Sequence, residues 1–191
     1  MSNINKIKSE LEKYIPYNEQ ETVDRKLMLE YIDKFDDILS RNNTLCHFTA
    51  SAWTVNKNKT KVLMAYHNIY DSWAWLGGHA DGEDDMLEVA IREVKEESSV
   101  KNVTPLEDSI FSLEILGVDS HFKRGKFVSS HVHLNVTYLL EVDEKEEVKI
   151  KEDENSAVKW VLINDAVSLS TESNMQIIYQ KIIDKFKEKY K

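Results

Sequence analysis

Glu93, Glu96 and Glu97 stand at i, i+3 and i+4 near the middle of the chain. At about 100° per residue, three side chains so spaced share roughly a third of a helix circumference. Like charges in that arrangement repel by roughly 0.2–0.5 kcal/mol per exposed pair, and by more when partly buried. A helix gains no stability this way unless something cationic sits among them. Hard divalent cations with oxygen ligands are the natural candidates, Mg²⁺ first where a substrate brings phosphates and Mn²⁺ second. The plain alternative is a solvated acidic face, the commoner outcome for paired carboxylates on a helix taken alone. The preceding loop changes the odds. Gly77-Gly78 follows an apolar stretch and precedes the helix. Glycine lets backbone approach a ligand closely, and the Gly78 carbonyl could join the carboxylates around one ion.

The stretch GGHADGEDDMLEVAIREVKEESSV, residues 77–100, resembles the catalytic box of the Nudix (MutT-like) hydrolases. That box runs Gly, five residues, Glu, seven residues, then Arg-Glu-apolar-any-Glu-Glu-any-Gly-apolar. It aligns on Gly78, Asp84 and the run Arg92-Glu93-Val94-Lys95-Glu96-Glu97-Ser98-Ser99-Val100. Two positions depart from it: Asp84 stands where the family has Glu, and Ser99 where it has Gly. Asp84 is one methylene short, and Glu83 beside it is the natural substitute. Ser99 gives up the easy positive φ of glycine at a helix end. HFTASAW, KVLMAYH, SHVHLNVTYLLEV and ENSAVKWVLI also resemble the strands of a Nudix subgroup with a helical N-terminal extension. The likeness covers residues 14–181.

The resemblance implies Mg²⁺-dependent hydrolysis of the diphosphate bond in a nucleoside diphosphate linked to another group. Glu93, Glu96, Glu97 and the Gly78 carbonyl would hold metal. Arg92 would fix Glu93 by a bidentate hydrogen-bonded pair. The base would be Glu93 or a carboxylate in a loop before a Trp-led strand. Glu154, six residues before Trp160, suits that place, with Glu152 and Asp153 beside it; an exposed acidic loop is the plainer reading. Asp84 or Glu83 would support the metal ligands. His79 directly follows the Gly pair, and His131 and His133 alternate on a strand and so share one face. These three could contact substrate phosphate or a metal, or be structural. Trp73, Trp75 and Tyr66 could stack on a base or sit in the core. A binding or sensing module of the same fold that hydrolyses little is the competing reading, and Asp84 is its one hint.

Those residues need elements to carry them. Met86, Leu87, Val89, Ala90, Ile91 and Val94 give the carboxylate helix, residues 84–98, an apolar face for docking on a sheet. Strands are expected at 47–55, 61–67, 111–122, 130–142 and 158–163, and a terminal helix at 172–189. The charged run 141–154 reads as a solvated turn. Ahead of this, residues 3–14 and 18–41 read as a helical hairpin split by Pro16. Leu27, Tyr31, Phe35 and Ile38 form its stripe, and Asn18 and Glu21 form a capping box. The alternative use of the hairpin is as a homodimer arm. The expected organisation is an N-terminal helical extension, 1–44, and a Nudix domain, 45–191. Together they predict an α+β fold, a Nudix-type α/β/α sandwich with a mixed β-sheet.

Bulk composition narrows the partners. A chain of 191 residues with 41% apolar content can bury one sizeable core. A net charge of −9 argues against duplex nucleic acid; the small nucleotide-type substrate that the resemblance implies could still be anionic where metal ions offset the charge locally. The single cysteine, Cys46, rules out an internal disulfide framework. MSNINKIKSELEKYI has no long apolar run, so neither signal peptide nor membrane anchor is expected, and a cytoplasmic location is.

Overall fold

The computed structural model describes residues 4–123 and 125–190. It begins with two helices, α1 (Asn5–Lys13) and α2 (Glu19–Ile32). Asn3, the first residue expected in α1, lies outside the described residues. Asn18 accepts the Glu21 amide at 2.9 Å and so caps α2. The fully buried Glu21 carboxylate takes the Tyr17 amide, one residue before the position a capping box uses, and the Tyr14 hydroxyl, each at 2.7 Å. The helix ends at Ile32 and does not run to residue 41. Asp37 accepts from the Asn43 side chain at 2.9 Å, and the Ser40 amide bonds the Asp37 carbonyl at 2.8 Å. Short polar side chains of this kind offer the backbone a turn in place of a helix. Ile38 and Leu39 are nevertheless buried, while Leu27, Tyr31 and Phe35 are half-buried, so the stripe overstates helix length and marks burial only in part.

Strands β1 (Cys46–Asn56), β2 (Lys61–His67), β3 (Ser72–Ala74) and β4 (Leu76–His79) follow, then α3 (Met86–Ser98). Next come β5 (Thr104–Pro105), β6 (Ser112–Val118), β7 (His121–Lys123), β8 (Lys126–Val128), β9 (His131–Val142) and β10 (Asn155–Leu162). A 3-10 turn (Ile163–Asp165), α4 (Ala166–Leu169) and α5 (Ser173–Lys189) complete the chain. The fold is α+β with a mixed sheet of order β10-β2-β1-β9-β5, in which β3 pairs with β2, β4 with β1 and β6 with β9; β7 and β8 form a separate hairpin. Every residue of β1 is buried. Three boundaries move from expectation. The strand expected at 111–122 divides after Val118, where the Ser120 amide turns to the Ser130 hydroxyl at 3.1 Å. The last strand starts earlier, at Asn155. The carboxylate helix starts at Met86, because Asp85 rather than Asp84 accepts the Glu88 amide at 3.3 Å as its cap.

The chain forms two compact units. The first comprises Met1–Ser51, Gly77–Ala90 and Asp108–Tyr138. Here α2 lies along β6: Asp24 accepts the Ile115 amide at 2.9 Å, Gln20 donates to the Leu113 carbonyl at 3.1 Å, and the Ser112 hydroxyl reaches Glu21 at 3.1 Å. Ile7, Leu11, Met28, Phe48, Leu113, Leu134 and Val136 are fully buried, each stabilising by about 1.5–3 kcal/mol of transfer energy. The N-terminal helices therefore spend their apolar face on their own chain. The second unit comprises Ala52–Leu76, Ile91–Glu107 and Leu139–Lys191. Trp53 and Trp75 lie 5.8 Å and 5.4 Å, centroid to centroid, from Tyr179 of α5. No helix among the described residues is long and apolar enough to cross a membrane.

Candidate active site

In the second unit the C-terminal half of α3 carries the carboxylates. Buried Val94 and Ile91 anchor it, and the flank so fixed presents Glu93, Glu96 and Glu97. Glu97 is buried, the Glu93 side chain is 14% exposed and Glu96 reaches solvent. Arg92 divides its guanidinium between Glu93 at 3.4 Å and Glu96 at 3.8 Å, where a fork on Glu93 alone was expected. Burial, and then the charge of Glu96, holds the Glu93 carboxyl above the ordinary carboxylate range.

The end of α3 explains why a distant loop comes here. The last carbonyls of a helix have no partner within it. The Ser98 carbonyl takes the Lys149 amide at 2.8 Å, and the Glu97 carbonyl takes the Asn155 side-chain amide at 3.0 Å. Asn155 in turn accepts the Lys151 amide at 3.1 Å. The loop is thus sewn to the helix end, and its Lys151 ammonium meets Glu96 at 3.2 Å and Glu154 at 3.0 Å. Burial alone would lower the Lys151 ammonium, but its bonds to Glu154 and Glu96 carry it upward. The run 141–154 is therefore more than a solvated turn. Ser99, in place of glycine, adopts φ +62° and returns its amide to the Lys95 carbonyl at 2.9 Å.

Gly78, His79, Glu83, Asp84, His131 and His133 belong to the first unit. Gly77 explains one of the paired glycines: a Cβ there would lie 2.6 Å from the Ala50 carbonyl oxygen of β1. Gly78 and His79 end β4. Asp81 and Gly82 turn the chain with positive φ, and Arg41 forks onto Asp81 with two bonds of 2.7 Å. Asp84 has a buried Oδ2 with no hydrogen-bond partner among the described residues, and Glu83 is half-buried. His131 and His133 meet, Nε2 to Nε2, at 3.2 Å. Asn135, on the same face, is locked in a buried network with Thr49, Ser51 and Glu114.

The arrangement on α3 offers a divalent cation an oxygen-rich flank whose charge is only partly offset. A family model described as NUDIX domain matches residues 47–186. The chain belongs to the Nudix family. This Nudix protein is a pyrophosphohydrolase. It is 28% identical over 137 residues to the RNA pyrophosphohydrolase of Pelagibacter ubique (strain HTCC1062), covering 69% of this chain and 84% of that protein. Its fold is similar to a C. elegans Ap4A hydrolase in binary complex, with TM-score 0.54, 22% identity and coverage of 74% and 95% of the two chains. It is also similar to E. coli dihydroneopterin triphosphate pyrophosphohydrolase, with TM-score 0.53, 16% identity and coverage of 71% and 94%.

In this Nudix enzyme, Tyr66 and Trp73 pack edge to face at 5.5 Å on adjoining strands, and the Lys159 ammonium lies 4.0 Å over the Trp73 ring. Trp75 is tied to Tyr179, its amide donating to that hydroxyl at 3.2 Å. Two residues of the second unit were not singled out from the sequence, Lys151 and Asn155. The one trace they leave is a lysine inside an acidic run and an asparagine just before a strand. His47 of the first unit was also missed, since at the head of an apolar strand it reads as a core residue.

Proposed function

We propose that this Nudix enzyme hydrolyses the diphosphate bond of a nucleoside diphosphate linked to another group, with Mg²⁺ held by Glu93, Glu96 and Glu97. The observation that carries this reading is the carboxylate flank itself. Three acids share it, Glu93 is held above its ordinary range by burial and by Glu96, and an oxygen-seeking cation is the group that relieves both. When bound, such an ion offsets diphosphate charge and acidifies a coordinated water.

The chain's own residues do the rest. Glu96 and Glu97 supply negative charge at fixed spacing. Glu93 is the group on this flank that takes the proton of the attacking water. Glu154 is paired with Lys151, and its role is to hold the loop against Glu96 through the shared ammonium. Arg92 orients Glu93 and Glu96. The catalytic portion corresponds to residues 45–191. The relatives named above act on RNA, Ap4A and dihydroneopterin triphosphate, and a small nucleotide-type substrate agrees with the acidic chain.

The test is product release, followed by mass spectrometry, from ADP-ribose, dinucleoside polyphosphates, oxidised nucleoside triphosphates, nucleotide sugars and coenzyme A. Turnover of at least one is expected with Mg²⁺ and none after EDTA. Glu97→Gln should lower kcat by about 10²-fold or more while circular dichroism is unchanged. Activity that survives full chelation, or a Glu97→Gln variant with half the wild-type kcat, overturns the proposal. No turnover of any member with Mg²⁺ favours the binding or sensing alternative.

A further inference from the structure

Four histidines of the first unit gather where β1, β4 and β9 begin or end: His47, His79, His131 and His133. Ring centroids of His47 lie 5.2 Å from His79, 5.0 Å from His131 and 5.0 Å from His133, and His79 lies 5.0 Å from His133. One ring nitrogen from each of His47, His79 and His133 falls within 4.8 Å of the others. We propose that His47, His79 and His133 form a binding site for a transition-metal ion of the zinc class.

The hydrogen bonds prepare these rings as ligands. The His47 ring is 4% exposed and its Nδ1 lies 2.9 Å from the Asn43 carbonyl, which can only accept. The proton therefore sits on Nδ1, and Nε2 presents a lone pair. That Nε2 is buried and has no hydrogen-bond partner among the described residues. Leaving such an atom unsatisfied is costly, and a metal removes the cost. Burial also favours the neutral ring, the form that binds metal. His131 is oriented in the same way, with Nδ1 2.8 Å from the Ser129 carbonyl. Its Nε2 accepts the N–H at Nε2 of His133 across 3.2 Å. A histidine ligand whose other nitrogen is held by a carbonyl or a second group is the usual supporting arrangement of a metal site.

The donor set chooses the ion. Imidazole suits zinc, copper, iron and nickel, whereas Mg²⁺ prefers oxygen. Three nitrogens around Zn²⁺ stand about 2.0–2.1 Å from the ion, so a mutual spacing of about 3.4 Å would follow small ring rotations from the present cluster. Three neutral rings leave the full charge of the ion, and half-buried His79 and His133 leave one side for a water or an anion.

The experiment is titration of the metal-free full chain with Co²⁺, read by its visible d–d absorption, and back-titration with Zn²⁺. The expected result is intense absorption that saturates at about one equivalent and is abolished by Zn²⁺. His79→Gln and His133→Gln should weaken Co²⁺ binding by at least about tenfold with circular dichroism unchanged, and Glu97→Gln should leave the spectrum as it is. His47→Ala should abolish it; because that ring is buried, the two half-buried positions decide the matter if this variant unfolds. Absence of the absorption in the wild type, its persistence at full affinity in both His→Gln variants, or its loss in Glu97→Gln overturns the site.

Discussion

Glu96 and Glu154 are joined through one ammonium: the Lys151 Nζ lies 3.2 Å from the first and 3.0 Å from the second. The helix and the loop were read from the sequence as separate sources of acid. Their connection is electrostatic as well as geometric, since Lys151 occupies charge that a divalent cation would otherwise meet.

Lys151→Met should therefore tighten cation use. Removing the competing charge should lower the Mg²⁺ concentration for half-maximal activity by about two- to fivefold, the range that a partly exposed pair of up to about 1 kcal/mol allows. Stability should fall by less than about 1 kcal/mol. Activity measured against Mg²⁺ concentration checks this. A higher Mg²⁺ requirement in the variant would show that Lys151 positions the site more than it competes.

The box position held by Asp84 gives a second expectation. Its Oδ2 is buried without a hydrogen-bond partner among the described residues, and the capping role belongs to Asp85. Asp84→Ala should lower kcat by about tenfold or more, the usual scale for residues that orient metal ligands, while Glu83→Ala should not. Asp84→Glu should retain full activity. The reverse pattern assigns the role to Glu83, and two fully active alanine variants would remove this half of the box from the mechanism.

Ser99 holds φ +62°, a conformation that costs a side-chain-bearing residue about 1–2 kcal/mol. Glycine would relieve it at the expense of a more flexible unfolded chain. Ser99→Gly should raise stability by about 0.5–1 kcal/mol, or roughly 1–4 °C in Tm, with kcat unchanged. Calorimetry of the two proteins decides it, and a lower Tm would mean that Ser99 makes compensating contacts.

Glu10 supplies a pH dependence in the first unit. Burial raises its carboxyl above the ordinary 4.5, partly offset by the Tyr138 hydroxyl donating at 2.6 Å. The folded state thus binds this proton more tightly than the unfolded state. Its contribution is full below the unfolded value and is lost as pH rises through the folded one. Relative to Glu10→Gln, the wild type should lose Tm as pH is raised from about 4.5 to 7. Parallel Tm curves across that range would exclude Glu10 as the source.

What the sequence determined by itself is local. Helical period alone places Glu93, Glu96 and Glu97 on one flank, because a repeat of 3.6 residues needs no knowledge of the rest of the chain. The same holds for the Asn18 cap and for the alternation of His131 and His133, whereas the need for glycine at Gly77 comes from the close approach of β1. Local periodicity also marked Ile38 as an apolar position, but it could not see that α2 would end at Ile32 and that the Asn43 side-chain amide would donate to Asp37 in the turns that follow. The rest depends on which distant segments meet. Lys151 reaches Glu96 because the free carbonyls at the end of α3 find donors in Lys149 and Asn155. His47 joins His79 and His133 because strands far apart in the chain end at one place. Spacing along the chain carries no record of such meetings: they are set by strand pairing and by backbone groups that must be satisfied once buried, and those partners exist only after the chain has folded.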